Sequence, residues 1–333
     1  MKIFPTKLLT FLLLTNLSSA HEENWTASRP DGHAPISVMG DHMHAMGEWM
    51  VSYRYMTMNM EGLLDGSDDI TKNAATSTYT FGMMGNMLPK DMTMDMHMFG
   101  AMHAVSDKWT LIGMLNYLDN EMTMQNNESM ESDGVGDLKI AGLYDLARWD
   151  NGRRVHLKIG VSAPTGSIDE KKSDGSILGY GMQLGSGTWD FHPAITYLGQ
   201  TENYSYGAQL GGILRTNDND RSYTLGDCLG AALWGSRKIT DYLSASLKID
   251  YSSQEQIDGE DKILNKMMSS VNRPDHQGRD LTTLGLGLNY YFQEDKLKGN
   301  RIAVEWETPL DQKVNGVQLE LDSTWTLGWQ YAW

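Results

Sequence analysis

The stretch Asp91-Met92-Thr93-Met94-Asp95-Met96-His97-Met98 is where this chain has the residues for metal chemistry, with Met102-His103 beyond it and Asp41-His42-Met43-His44 upstream. The 333-residue sequence carries 23 methionines and a single cysteine. Thioether and imidazole donors together suit a soft ion, Cu(I) above all. An extended backbone alternates its faces, so Met92, Met94, Met96, Met98 and Met102 share one side, and Asp91, Thr93, Asp95, His97 and His103 the other. In a wall between lipid and water, the methionines are expected to meet lipid as flexible apolar groups, with the aspartates and histidines turned inward. A mixed site within this one stretch is then excluded. A soft-metal set has to be assembled across neighbouring strands, from His42, His44, Met50, Met56, Met58 and His97, with Met114 also facing the interior. Copper is therefore a possible cofactor, and none is required by any other motif.

The remaining titratable residues sort by the same parity. Glu48, Arg54, Asp95, His97, Asp137, Lys139, His156, Lys158, Asp190, His192, Lys248, Asp250, Glu305 and Glu320 fall on faces expected to line an interior. Both signs are present, so much of this set is expected to be paired, because unpaired charge in a narrow interior is costly. An excess of carboxylates along a continuous passage would favour cations or neutral polar solutes over anions. Nucleophilic chemistry has little support. Ser162 and His156 share the inward parity, no serine stands in a Gly-x-Ser-x-Gly setting, and Leu184-Gly185-Ser186-Gly187 has no base beside it. The chain is not expected to be an enzyme.

Strands must position these residues. From Leu319 to Trp333 the odd positions are mostly apolar or aromatic (Leu319, Leu321, Trp325, Leu327, Trp329, Tyr331, Trp333), and the even ones mostly polar or small. That is a strand with one greasy and one wet face, and its aromatics fit the closing strand of an outer-membrane barrel. The same alternation begins at Gly47, where Trp49, Val51, Tyr53 and Tyr55 oppose Met50, Ser52, Arg54, Met56 and Met58. Continued along the chain, it predicts an all-β, single antiparallel transmembrane barrel of about twelve strands. Short connections (106–108, 147–152, 199–202, 236–240, 293–298) alternate with long ones (59–90, 119–133, 164–187, 252–279). This is the pattern of periplasmic turns and extracellular loops. The strand expected at Tyr223 to Trp234 has mixed faces and no evident orientation.

At the start, Lys2 and Lys7 precede the apolar Leu8–Leu14 and the small Ser18-Ser19-Ala20. These features predict a secretory signal peptide over 1–20, then a periplasmic lead-in over 21–46 and the barrel over 47–333. The lone Cys228 gives neither a lipoprotein anchor nor a disulfide framework. With 27 basic residues against 43 acidic ones, nucleic acid is not an expected partner. The mean hydropathy of −0.43, with no long apolar run after the leader, argues against membrane helices but not against a barrel, whose strands face lipid only at alternate residues.

Three short motifs in the middle of the chain, Gly134-Val135-Gly136-Asp137-Leu138-Lys139, Ala163-Pro164-Thr165-Gly166 and Leu184-Gly185-Ser186-Gly187-Thr188-Trp189-Asp190, resemble those of the meta-pathway phenol-degradation family of outer-membrane proteins. The Met- and His-rich region 39–103 resembles one subset of that family. The resemblance implies a barrel, often labelled a transporter, that passes or binds small molecules, aromatic ones included, and it brings no catalytic residues. It also implies an outer-membrane location in a Gram-negative envelope, with the lipid bilayer as partner. Trp333 resembles the terminal aromatic read by the outer-membrane assembly machinery. The expected function is a passive channel or uptake protein. The alternatives are an envelope protein that binds copper and a structural barrel with a closed lumen.

Overall fold

The computed structural model describes residues 25–82, 85–294 and 296–333; the expected signal peptide lies outside them. The alternating stretches form one antiparallel meander in which each strand pairs with the next. Its strands are β1 (Trp49–Gly66), β2 (Pro89–Ser106), β3 (Trp109–Met124), β4 (Ser129–Val135 and Leu138–Arg148), β5 (Arg154–Ala163), β6 (Asp190–Phe191 and Ala194–Gln200), β7 (Tyr204–Arg215), β8 (Cys228–Lys238), β9 (Leu243–Gln254) and β10 (Arg279–Tyr291). A last extended run of 33 residues covers Asn300–Ala332. Its first half pairs with β10 and its second half with β1, which closes the sheet on itself.

That last run is two strands. The Ala332 amide donates to the Gly299 carbonyl, the Trp329 indole to Asn300 Oδ1, and Gln312 exchanges side-chain bonds with the Leu321 backbone. The Trp306 and Trp325 rings lie 6.4 Å apart. These contacts fold 300–314 (β11) against 317–332 (β12) about an Asn315-Gly316 turn, with Gly316 at φ +61°. The wall is therefore crossed twelve times, as the alternation predicts.

The greasy face does point outward. Leu233, Ile140, Leu247 and Leu327 are each at least half exposed, and Trp325 and Trp329 lie on this surface and not in a dry centre. Aromatic pairs such as Trp109–Tyr144 and Tyr242–Tyr290 stand at the end with the short turns, where barrels carry an interfacial girdle. The strand that sequence could not orient is resolved by splitting it. Tyr223–Thr224 belongs to a loop, and within β8 Leu229 and Leu233 face out while Ala232 and Trp234 face in.

The Asn315-Gly316 turn is held from outside as well. His276 Nδ1 accepts the Val317 amide at 3.1 Å, and a Cβ on Gly316 would fall 2.3 Å from the His276 ring. Replacing Gly316 by valine is expected to destabilise the folded barrel by about 1–3 kcal/mol through left-handed strain alone. The measurement is the urea midpoint of the heat-modifiable band, and an unchanged midpoint would contradict this account of the turn.

Candidate functional site: a plugged, methionine-lined lumen

Residues 25–46 were expected to lead in from the periplasm, but they fold into the barrel. Residues 30–36 and 41–44 are buried, and their polar backbone is taken up by wall side chains, as buried backbone must be. The Arg301 guanidinium donates to the carbonyls of Ala27, Arg29 and Pro30 at 2.7–2.9 Å. His156 Nε2 lies 2.9 Å from the Gly40 carbonyl, and Gln209 donates to Met39. Ser37 donates its amide to Glu305, which pairs with Lys248 at 3.3 Å. Ala34 and Val38 pack on Trp234, and Met43 packs on Met50 and Met102. Strands β5, β7, β8, β9 and β11, with Met50 of β1 and Met102 of β2, thus grip one plug. No composition signal marked it, because a polar, proline- and glycine-containing segment reads the same in solvent as in a polar lumen.

The second correction concerns β2. Its methionines face the lumen, and Asp95, His97 and His103 face outward. Met102 pairs with Met50, Met96 with Met56, Met94 with Met58, and Met92 with both Met60 and Met122. Residues directly opposite on adjacent strands share a face, and Met50, Met92, Met98 and Met102 are buried while Phe99 and Val105 are exposed. The cause is a bulge between Ala104 and Ser106 beside the tight turn into β3. One extra residue inverts every side chain beyond it. His97 instead sits among outward aromatics, with its Nδ1 2.7 Å from the Tyr53 hydroxyl, so it cannot join a lumen metal set with Met56 or Met58.

Irregular pairing between Asn59 and Leu63 does the same to Glu320. Leu319 and Leu321 turn inward and leave Glu320 on the opposite side. Glu48 lies at the mouth of the plug, where it accepts the Ala45 amide. Arg54, Lys139, His156, Lys158, Asp190, His192, Lys248, Asp250 and Glu305 do face inward.

The result is a lumen with two unlike walls. Strands β1 to β4 carry a ladder of cross-strand methionines, which rises to a cluster of Met92, Met122, Met124, Met130 and Met182 beneath the outer loops. The facing wall is charged and partly paired: Lys248 with Glu305 and Glu307, and Arg215 with Asp190. A cavity of about 560 Å³ opens at the periplasmic end beside Trp25, His33, Met43, His44 and Met50. Another of about 420 Å³ lies among the outer loops over Met87, Met124 and Met130. On the outer face, an apolar notch of about 770 Å³ follows the break in β6 at Pro193, where proline interrupts the ladder.

Ser162, His192 and Asp190 do meet, which sequence spacing did not suggest. Ser162 Oγ is 3.0 Å from His192 Nε2, yet the carboxylate touches Ser162 Oγ at 3.4 Å, pairs with Arg215, and accepts from Thr188 at 2.6 Å. A hydrolytic triad needs the carboxylate on the histidine Nδ1; here it is spent elsewhere.

The three glycine-rich motifs converge on one clamp at the outer rim. Asp137, at the break in β4, accepts the Gly166 amide and both the amide and hydroxyl of Ser186, each at 2.9 Å. Thr165 bridges to the Gly136 carbonyl and the Leu138 amide. Gly166 and Gly185 touch so closely that a Cβ on either would lie 2.6 Å or less from the other segment's backbone. This clamp holds loop 164–189 with Leu178 and Met182 over the methionine cluster. Asp137→Ala removes a carboxylate accepting three bonds, so it is expected to free the loop at a cost of about 3 kcal/mol. Limited proteolysis within 164–189 reads this directly, and undiminished protection would show that the clamp is not what holds the loop.

Burial sets the protonation of three groups at these sites. In the outer loops it raises the Tyr79 hydroxyl to about 12, helped by the bond to Asp65. In the plug it holds the His44 imidazole down to about 3 and His33 well below its usual range, so both rings are neutral.

The family model described as "Putative MetA-pathway of phenol degradation" matches residues 80–316. No curated protein matches the chain. Among solved structures, it resembles a COG4313 outer membrane channel from Pseudomonas putida F1, with a TM-score of 0.67 at 12% identity over 89% of this chain and 99% of that one. A Pseudomonas aeruginosa FadL homologue aligns over 86% of this chain and 89% of that one at 10% identity, with a TM-score of only 0.40. The first likeness establishes the fold, a barrel of outer-membrane type.

Proposed function

The chain belongs to this MetA-pathway phenol-degradation family, and from that premise we propose that it is a passive outer-membrane channel for small molecules. The observation that carries the reading is the methionine ladder, which gives one side of the lumen an unbroken soft lining between the outer loops and the plug. Thioethers are flexible, polarisable and favourable against aromatic ring edges. A lining of this kind suits small apolar and aromatic solutes better than sugars or anions. The apolar notch beside Pro193 gives such solutes a surface on the lipid side. The outward Leu and Trp residues make the lipid bilayer the surrounding partner, and the exposed Trp333 at the end of β12 is the feature we assign to recognition by the assembly machinery. The protein acts as a conduit and not as an enzyme, in keeping with the misordered Ser162, His192 and Asp190.

The test is planar-bilayer recording of the refolded mature protein. A small unit conductance is expected, lowered in the presence of small phenols as they occupy the ladder. A silent barrel contradicts the reading. A second reading, passage of a soft cation such as Cu(I), is favoured by one specific observation: Met50, Met56 and Met58 face the lumen, opposite Met102, Met96 and Met94.

A further inference from the structure

The plug contains a second concentration of donor atoms that conduction does not use. His33, His42 and His44 form a row, with ring centroids 3.8 Å apart for the first pair and 4.9 Å for the second. Each ring turns Nδ1 toward an oxygen. For His33 it is Gln330 Oε1 at 3.0 Å, for His42 it is Asp41 Oδ1 at 2.9 Å, and for His44 it is the Glu48 carboxylate at 3.4 Å. A neutral imidazole that donates from Nδ1 carries its lone pair on Nε2. Asp41 is fixed in turn by the Ala34 amide at 2.8 Å. An outer oxygen on one ring nitrogen, orienting the other, is the arrangement that supports histidine as a metal ligand.

Two of the freed atoms have no partner among the described residues. His42 and His44 are 1% and 4% exposed, and the Nε2 of each is buried without a hydrogen bond from any of those residues. Leaving a buried acceptor unsatisfied is costly. One ligand atom from each of His33, Asp41 and His42 already lies within 4.8 Å of the others. The periplasmic cavity reaches His33 and His44 and is lined on the same side by Met43 and Met50, so an ion has both a route in and thioethers beside it.

We propose that His33, His42 and His44 bind one late transition-metal ion of imidazole-seeking character, Cu(I) or Zn(II), on the plug. The donors fit such an ion better than a hard one. Three imidazoles stand beside a single buried carboxylate, Asp41, whereas Ca²⁺ and Mg²⁺ need clustered oxygen ligands. A bound ion would tie the two ends of the plug's inner turn, residues 33 and 42–44, to each other. Binding does not depend on the channel reading, since it needs the folded plug and not an open lumen.

The test uses the folded full-length mature protein in detergent, with its fold checked by heat-modifiability. Cu(I) and Zn(II) are titrated separately against a competing chelator, with Ca²⁺ and Mg²⁺ as hard-ion controls. One equivalent of Cu(I) or Zn(II) is expected to be retained, with affinity falling at least about tenfold in His42→Gln and again in His44→Gln. Met43→Leu and Met50→Leu separate the arms, because they weaken Cu(I) alone if thioether joins the site. Retention of neither ion by the folded wild type overturns the proposal. So does retention that survives loss of all three histidines, or equal retention of Ca²⁺. X-ray absorption of the loaded protein gives a readout that folding defects do not mimic: nitrogen ligands are expected near 2.0 Å.

Discussion

Deleting residues 25–46 is expected to raise single-channel conductance by about tenfold while leaving the barrel folded. The wall's hydrogen-bond ladders run from strand to strand and close between β1 and β12 and between β7 and β8 without help from the plug. What the plug contributes is obstruction. It crosses the lumen from Trp25 to Glu48, and its backbone is bonded to β5, β7, β9 and β11 through His156, Gln209, Ser244 and Arg301. Removing it leaves those side chains facing water, which a polar lumen admits. Bilayer recordings of full-length and truncated protein, with circular dichroism confirming the same strand content, decide the matter. Equal conductance would mean that the outer loops over Met92 and Met182, and not the plug, set the resistance.

The second large effect lies at Lys248. It is 3% exposed, paired with the fully buried Glu305 and with Glu307, and bonded to Ser37 of the plug. Lys248→Met strands two carboxylates that form no other ion pair among the described residues, at an expected cost of about 3–5 kcal/mol. The plug also loses its anchor, because the Glu305 that accepts the Ser37 amide must reorient or take up a proton. A urea titration should show an earlier transition, and recordings should show openings larger than the parent's small unit conductance. The triple change Lys248→Met, Glu305→Leu and Glu307→Leu is expected to recover most of the stability but not the closed plug, since no charge is left unpaired. If Lys248→Met unfolds at the parent midpoint, the charge cluster is solvated and the account of it is wrong.

Much of the wall could be read from residue order. Alternation of period two is a local property: each residue's face follows from its neighbours, so Trp325, Leu327 and Trp329 announced a lipid face before any partner strand was known. Loop asymmetry and the twelve crossings follow from the same pattern. The glycine-rich motifs were legible as family marks, but their work as a clamp on Asp137 was not, because the three segments meet only when β4, β5 and the following loop are in place.

What only the tertiary structure decided was which way an ambiguous strand faces and what fills the centre. In β2 both faces had a plausible destination, since methionine tolerates lipid and aspartate or histidine tolerates a lumen. The choice fell to a bulge at Val105 and to the register with β1, and a shift of a single residue exchanges the two faces. The sequence therefore determined the two sets but not their sides. The plug was decided in the same way. A segment of mixed polarity carries no periodicity to betray burial, and its place depends on carbonyls meeting Arg301, His156 and Gln209, side chains that come from strands more than a hundred residues away.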